Sequence, residues 1–209
     1  MGINPRKEKP VNIEEKPVII LDLDQTLISA EELEPNGEYK DKDKYADKMK
    51  KFNSVKMEKD FLIFERPYLQ NFLTYIFDNF RVSIWTAASQ LYATFVIDKL
   101  ILEGHPERKI DWIFFSYHCK ISQKHKNGSK DLSTLWDIFN IPGYRNDNTL
   151  IIDDYEEVFN TQKDRCVLAV PFEFTEEGSE KDVFLKNLTK KLKTMVKDGK
   201  DFKSVINSQ

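Results

Sequence analysis

Pro17-Val18-Ile19-Ile20-Leu21-Asp22-Leu23-Asp24-Gln25-Thr26 is the stretch on which the fold turns. A short apolar run carrying three β-branched residues, Val18, Ile19 and Ile20, breaks abruptly into acids. Alternation would mark a half-exposed strand; a continuous run reads as a strand buried on both faces. Two more segments share the form: residues 82–85 ending at Thr86, and Leu150-Ile151-Ile152 ending at Asp153-Asp154. Residues 112–115 and 167–170 are further strand candidates.

Helical patterns lie between these runs. Leu69, Phe72, Leu73, Ile76 and Phe77 follow an i, i+3, i+4 stripe, and Pro67 suits a helix start. Leu91, Phe95 and the apolar run to Leu102 predict a second helix. Leu132, Leu135, Trp136 and Phe139 predict a third, stopped by Pro142-Gly143. Leu185, Leu188, Leu192 and Met195 mark a closing amphipathic helix. Strand and helix alternate, which predicts an α/β, doubly wound, mainly parallel sheet. Residues 1–16 read as a flexible arm and 17–209 as one domain, without repeats. Residues 29–60 stand apart, with few apolar positions and many lysines, among them Lys40, Lys42, Lys44, Lys48, Lys50 and Lys51. They predict a solvated loop or exposed helix on an insertion, too polar for a cored lid, or else a basic surface for an acidic or phosphorylated partner.

The chain has 209 residues, 40% apolar and 32% charged, enough for a buried core. Its formal net charge of -3 argues against a general nucleic-acid binder, so no direct nucleic-acid binding is expected. No apolar run reaches the roughly 18 residues that cross a bilayer, and no membrane association is expected. The N-terminus is polar, and Cys119 and Cys166 form no CxxC pair; buried thiols in a reducing compartment are expected. The expected location is intracellular, in nucleus or cytoplasm. Nothing in the sequence fixes an oligomeric state.

Open α/β sheets build their sites beyond the carboxyl ends of the strands. There the strands deliver Asp22 and Asp24, Thr86, and Asp153 and Asp154, while Lys130 stands at the start of the third helix. Crowded carboxylates repel unless a cation sits among them. Hard oxygen ligands without nearby His or Cys select Mg²⁺ over Zn²⁺. His105, His118 and His125 have no metal-like pairing and read as surface residues. A phosphate dianion then fits between the metal and Lys130, with Asp22 as nucleophile and Asp24 as proton donor and acceptor. Singly, each signal has a plainer reading: a strand-end cap for the acids, a helix cap for Thr86, a surface lysine for Lys130. Their order and placement carry the case.

The sequence resembles the haloacid-dehalogenase-like (HAD-like) phosphatases. More narrowly, it resembles the small RNA polymerase II C-terminal-domain phosphatases of the NLI-interacting-factor-like branch. The matching residues are Leu21-Asp22-Leu23-Asp24-Gln25-Thr26-Leu27, Arg66-Pro67, Trp85-Thr86-Ala87-Ala88-Ser89, Tyr92, Lys130-Asp131-Leu132-Ser133 and Ile151-Ile152-Asp153-Asp154. They span residues 16–206. The resemblance implies a HAD-like Rossmannoid fold with small insertions and no large cap domain. It implies Asp22 as nucleophile and Asp24 as general acid/base. Mg²⁺ would sit on the Asp22 carboxylate, the Asp24 carbonyl and Asp154, with Asp153 nearby, and Thr86 and Lys130 would hold the phosphoryl group. It further implies a phosphoserine or phosphothreonine protein substrate, with the RNA polymerase II C-terminal tail as a candidate.

The chain departs from the branch at several points. Gln25 replaces the common Glu, and Tyr68 stands where Gly is usual. Ser116 falls about where peptide-selective members carry an arginine. Residues 120–130, with Asn127-Gly128, resemble the branch's small β insertion. Tyr92 reads as packing or as part of a peptide groove. Competing readings are a phosphatase of small metabolites or nucleic-acid ends, a non-catalytic binding module, and a phospho-accepting receiver. The intact aspartates and Lys130 disfavour the module, and the late acid pair disfavours the receiver.

Overall fold

β1 (Val18–Leu21) pairs in parallel with two neighbours, and all four of its residues are buried. The structure, a computed structural model, describes residues 16–206; the arm predicted over residues 1–16 lies outside them except for Lys16. The chain continues through β2 (Ile28–Glu32), α1 (Ala46–Met49), β3 (Ser54–Met57), β4 (Phe61–Glu65), α2 (Leu69–Asn79) and β5 (Arg81–Trp85). Next come α3 (Gln90–Val96), prolonged by the π-helical segment Ile97–Leu102, then β6 (Ile110–Phe114), α4 (Ser116–His125) and α5 (Ser133–Asp137). β7 (Thr149–Asp153), α6 (Glu156–Thr161), β8 (Cys166–Leu168), α7 (Phe184–Lys197) and α8 (Lys203–Ile206) follow.

Five strands lie in the order β6-β5-β1-β7-β8, each pair parallel. The two-residue period of a strand sends Ile19 and Leu21 to one face and Val18 and Ile20 to the other. The first pair packs in a core with Phe72 and Ile76 of α2, Val96 of α3 and Leu188 of α7. The second joins Leu132, Leu135, Tyr144 and Val158. Each such side chain contributes about 1.5–3 kcal/mol on burial. Two covered faces are therefore what make the strand runs continuously apolar.

From β1 the chain winds outward through β5 to β6, then crosses back to β7 on the other side of β1. The winding reverses between β1 and β7, and sites in such sheets form at the carboxyl ends beside the reversal. Leu21 lies opposite both Ile84 and Ile152, so Asp22, Trp85 and Asp153 leave the sheet at one level.

Three sequence expectations are corrected. Residues 29–60 are no solvated loop. β2, β4 and β3 form an antiparallel sheet in that order, with a small core of its own. Phe64 stacks on Phe174 with centroids 3.8 Å apart, and Tyr45 and Phe52 pack around them. Three of the lysines are paired with acids, Lys42 and Lys50 with their near neighbours Glu38 and Asp47, and Lys51 with the distant Glu180. Residues 120–130 are not a β insertion, because α4 continues to His125 and the Lys126 amide closes its last turn on Ser122. His118 is no surface histidine; it is half-buried against Phe114 and Phe139, and its Nδ1 accepts the Phe115 amide at 2.9 Å.

One buried cation ties the insertion to the sheet. Arg66 follows β4, and its Nε and Nη2 donate to Asp182 at 3.1 and 2.8 Å while Nη1 donates to the Thr26 carbonyl at 3.0 Å. Its guanidinium also lies 4.4 Å from the Phe184 ring centre. Asp182→Ala would leave that buried charge half-satisfied and should cost about 3 kcal/mol in urea unfolding. Lys50→Ala, at an exposed pair, should leave the midpoint unchanged. A loss below about 1 kcal/mol for Asp182→Ala would place the pair among ordinary surface bridges.

Candidate active site

The segment after β1 is drawn against β7 by its backbone, the Asp22 amide donating to Ile152 O at 3.0 Å. Asp22 is buried, and its Oδ1 accepts Lys130 Nζ at 2.6 Å. The same ammonium donates to Asp153 Oδ2 at 2.8 Å, while Asp153 Oδ1 accepts the Tyr155 amide at 2.9 Å. Asp154 is half-buried and accepts Thr26 Oγ1 at 3.0 Å. Asp22, Asp153 and Asp154 thus each bring an oxygen within 4.8 Å of the others. Asp24 turns aside from that triad, and its Oδ1 accepts the Tyr92 hydroxyl at 2.6 Å.

Thr86 is buried at the end of β5, held by its amide on Phe114 O at 2.9 Å. Its Oγ1 accepts the Ala88 amide at 3.0 Å, and its hydroxyl hydrogen has no protein acceptor among the described residues. The cap of α3 is Ser89 instead, accepting the Tyr92 amide.

Lys130 lies in the loop before α5, and partners invisible in the local sequence hold that loop. Gln162 donates to Lys130 O at 2.8 Å and accepts the Leu132 amide at 2.9 Å. Glu157 accepts both the amide and the hydroxyl of Ser129. Ser122 donates to Gly128 O, and a Cβ at Gly128 would stand 2.7 Å from Thr161 Oγ1 and 2.9 Å from Glu157 Oε1. A side chain there would displace the Thr161 hydroxyl and the Glu157 carboxylate that holds Ser129. The predicted residues Asp22, Thr86, Lys130, Asp153 and Asp154 thus converge, with Asp24 beside them. Tyr92, Gln162, Glu157 and Arg66 complete the arrangement; of these only Tyr92 and Arg66 had a sequence signal.

Burial dominates the electrostatics. It pushes Asp22 up to about 6 against the pull of Lys130, with Asp154 and Asp24 adding repulsion. Asp153 is likewise pushed up to about 6, by burial and then by Asp22. Burial also raises Asp24, which the Tyr92 bond opposes, and Asp154, which Thr26 opposes. For Lys130 burial acts downward, but the charges and hydrogen bonds of Asp22 and Asp153 outweigh it and leave the ammonium raised. Four carboxylates around one ammonium are short of positive charge. The triad offers only carboxylate oxygens, a donor set that suits a hard divalent cation.

A HAD-like Rossmannoid sheet with an acidic triad at its switch point defines the class: a phosphatase-type α/β domain. The fold is that of the fission yeast RNA polymerase II CTD phosphatase Fcp1. Its structure with bound beryllium fluoride superposes with a TM-score of 0.53 at 19% identity, covering 93% of this chain and 54% of that one. A second Fcp1 structure gives 0.52 at 20% identity, over 93% of this chain and 53% of that one, so this chain spans about half the length of each. The CTD phosphatase-like protein 355R of invertebrate iridescent virus 6 is 44% identical over 173 residues, 81% of this chain and 93% of that protein. Its counterpart in invertebrate iridescent virus 3 is 40% identical over 187 residues, 86% and 96% respectively. The NLI interacting factor-like phosphatase profile matches residues 17–203, and the chain belongs to that family.

For Asp22 and Asp153 the folded pKa lies above the ordinary value, so the folded chain binds protons more tightly than the unfolded one. The stability this lends is complete below about 3.8 and lost as pH rises through about 6. With EDTA present, the native chain should gain roughly 1 kcal/mol more than Asp22→Asn between about pH 7.5 and 5.5 in urea titrations. His118, held below its ordinary value by burial, has the opposite sign but acts alike in both chains. Equal gains in the two chains would show that Asp22 ionises as an ordinary carboxylate.

Proposed function

We propose that the chain is a Mg²⁺-dependent protein phosphatase that hydrolyses phosphoserine and phosphothreonine through an aspartyl-phosphate on Asp22. The observation that carries this reading is the division of the two motif carboxylates: Asp22 on the Lys130 ammonium, Asp24 on the neutral Tyr92 hydroxyl.

In the first step an Asp22 carboxylate oxygen bonds to phosphorus as the bond from phosphorus to the seryl or threonyl oxygen breaks. Asp24 delivers its proton to that leaving oxygen. In the second step water attacks phosphorus, Asp24 takes its proton, and the bond to Asp22 breaks to release inorganic phosphate. Burial favours the protonated form of Asp24 that the first step needs. Lys130 has three N–H donors and spends two on Asp22 and Asp153, leaving one for a phosphoryl oxygen. Thr86 offers its free hydroxyl hydrogen to another. Mg²⁺, held by the Asp22 and Asp154 carboxylates and the Asp24 carbonyl with Asp153 supporting, would neutralise charge where nucleophile and phosphate dianion meet.

The protein substrate, with the RNA polymerase II C-terminal tail as the candidate, is supported by the relatives' description as CTD phosphatase-like and by the small size of the insertion. Among the described residues, no helix is long and apolar enough to cross a membrane.

Hydrolysis of an aryl phosphate should require Mg²⁺, stop with EDTA, and fall by at least about 10³-fold in Asp22→Asn. A folded native chain without turnover would overturn the reading in favour of a binding module. Tyr92→Phe removes a bond that favours the Asp24 carboxylate, so Asp24 should hold its proton to higher pH. The alkaline limb of kcat/KM should move up with it, while kcat falls about tenfold. An unmoved limb would reduce Tyr92 to packing.

A further inference from the structure

A groove of about 470 Å³ runs between the segment after β8 and the start of α7. Its floor is apolar, lined by Val170 and Val183, 67% and 44% exposed, and by Phe172 and Phe184. Along its rim Glu173, Glu176 and Glu177 are exposed. Glu176 and Glu177 have no ion-pair partner among the described residues, and Lys181 is the groove's lone lysine. Of the basic side chains around the groove, Arg66 is paired with Asp182 and Lys51 with Glu180, while Lys48 donates to the Glu176 carbonyl and keeps its charge, which leaves the three rim glutamates in excess over Lys48 and Lys181.

The groove is fastened to the candidate active site. The Phe172 amide donates to Gln25 O at 2.7 Å, and Gln25 Nε2 donates to Glu173 Oε1 at 2.9 Å, so one wall is bonded to the segment between Asp24 and Thr26. On the other side the Ala169 amide donates to Asp153 O at 2.8 Å, so Val170 enters the groove one residue from the acidic pair's backbone. A glutamate at position 25, as is common in the branch, would face Glu173 with like charge. Gln25 permits this contact.

We propose that this groove docks the polypeptide flanking the phosphorylated residue, and that it selects a flank pairing an aliphatic side chain with Lys or Arg. This deepens the proposed function and rests on it. Apolar floor and acidic rim together specify that chemistry: the aliphatic group covers Val170 and Val183 while the cation meets Glu176 and Glu177. A phosphate dianion alone would be repelled by the rim, so the recognised element is the flank and not a second phosphate.

The experiment compares an aryl phosphate with two phosphoserine peptides that carry Val-Arg-Arg or Val-Glu-Glu on both sides. The native chain should favour the arginine peptide at least tenfold in kcat/KM, and added salt should shrink the preference. The double variant Glu176→Lys/Glu177→Lys should reverse it while aryl phosphate turnover stays unchanged. Val170→Ser should weaken both peptides through KM and again spare the aryl phosphate. Aryl phosphate turnover without peptide preference, or a preference untouched by the double variant, would overturn the groove and leave the phosphatase reading standing. No turnover of any of the three by the folded native chain would overturn both.

Discussion

The ammonium of Lys130 lies between two buried carboxylates, Asp22 at 2.6 Å and Asp153 at 2.8 Å, and the acidic end of the sheet depends on it. These carboxylates come from strands on either side of the winding reversal, brought level by the register of β1 and β7. Removing two carboxylates and an ammonium from water costs several kcal/mol per ion, which mutual attraction returns only when the remaining donors and acceptors are also satisfied. Asp153 and the backbone around Lys130 are satisfied here, while one Lys130 N–H stays unspent. Asp153 takes the Tyr155 amide, and the backbone around Lys130 is clasped by Gln162, with Glu157 fixing Ser129 just before it. The helix α6 that supplies Glu157 follows directly after Asp153-Asp154, so one short segment delivers both the acids and the support for their counter-ion.

Arg66 does for the outer part of the molecule what Lys130 does at its centre. It fixes the carbonyl of Thr26, whose hydroxyl reaches Asp154, and through Asp182 it anchors the start of α7. The segment between β8 and α7 is thereby caught between the insertion and the loop after β1. Phe174 closes the insertion's core and Phe172 bonds to Gln25. Packing of the small antiparallel sheet and placement of the DxDxT segment are therefore mechanically one problem.

Much of this was legible in the sequence, for a physical reason. The strands of a doubly wound sheet are buried on both faces, and the acids that end them are short-range signals. The insertion was illegible because its core is assembled from distant aromatics, Phe64 with Phe174 and Phe52 with Phe172, beneath lysines neutralised by local acids. Residues 120–130 read as a β insertion because they resemble that of the branch and Asn127-Gly128 is a turn signal. The glycine instead lies close against the Thr161 and Glu157 side chains. Tyr68 shows the converse case. Its φ of +68° at the start of α2 is a conformation that favours glycine, so the departure from the usual Gly marks a real backbone requirement that this chain meets with a strained tyrosine.

The two motif carboxylates differ in what they lack. Asp22 is the more deeply buried, and even with an ammonium against it burial pushes its pKa up to about 6. Asp24, half-buried with a neutral phenol, is raised by burial alone and needs no second cation. A divalent cation on the triad would act on the Asp22 carboxyl directly, but on the Asp24 carboxyl only at a distance, because that carboxyl is turned to Tyr92. Under the proposed function, the same ion that lets Asp22 ionise would thus leave Asp24 able to carry a proton. The geometry separates the tasks of two identical side chains two residues apart by giving them different neighbours, a charge for one and a hydroxyl for the other.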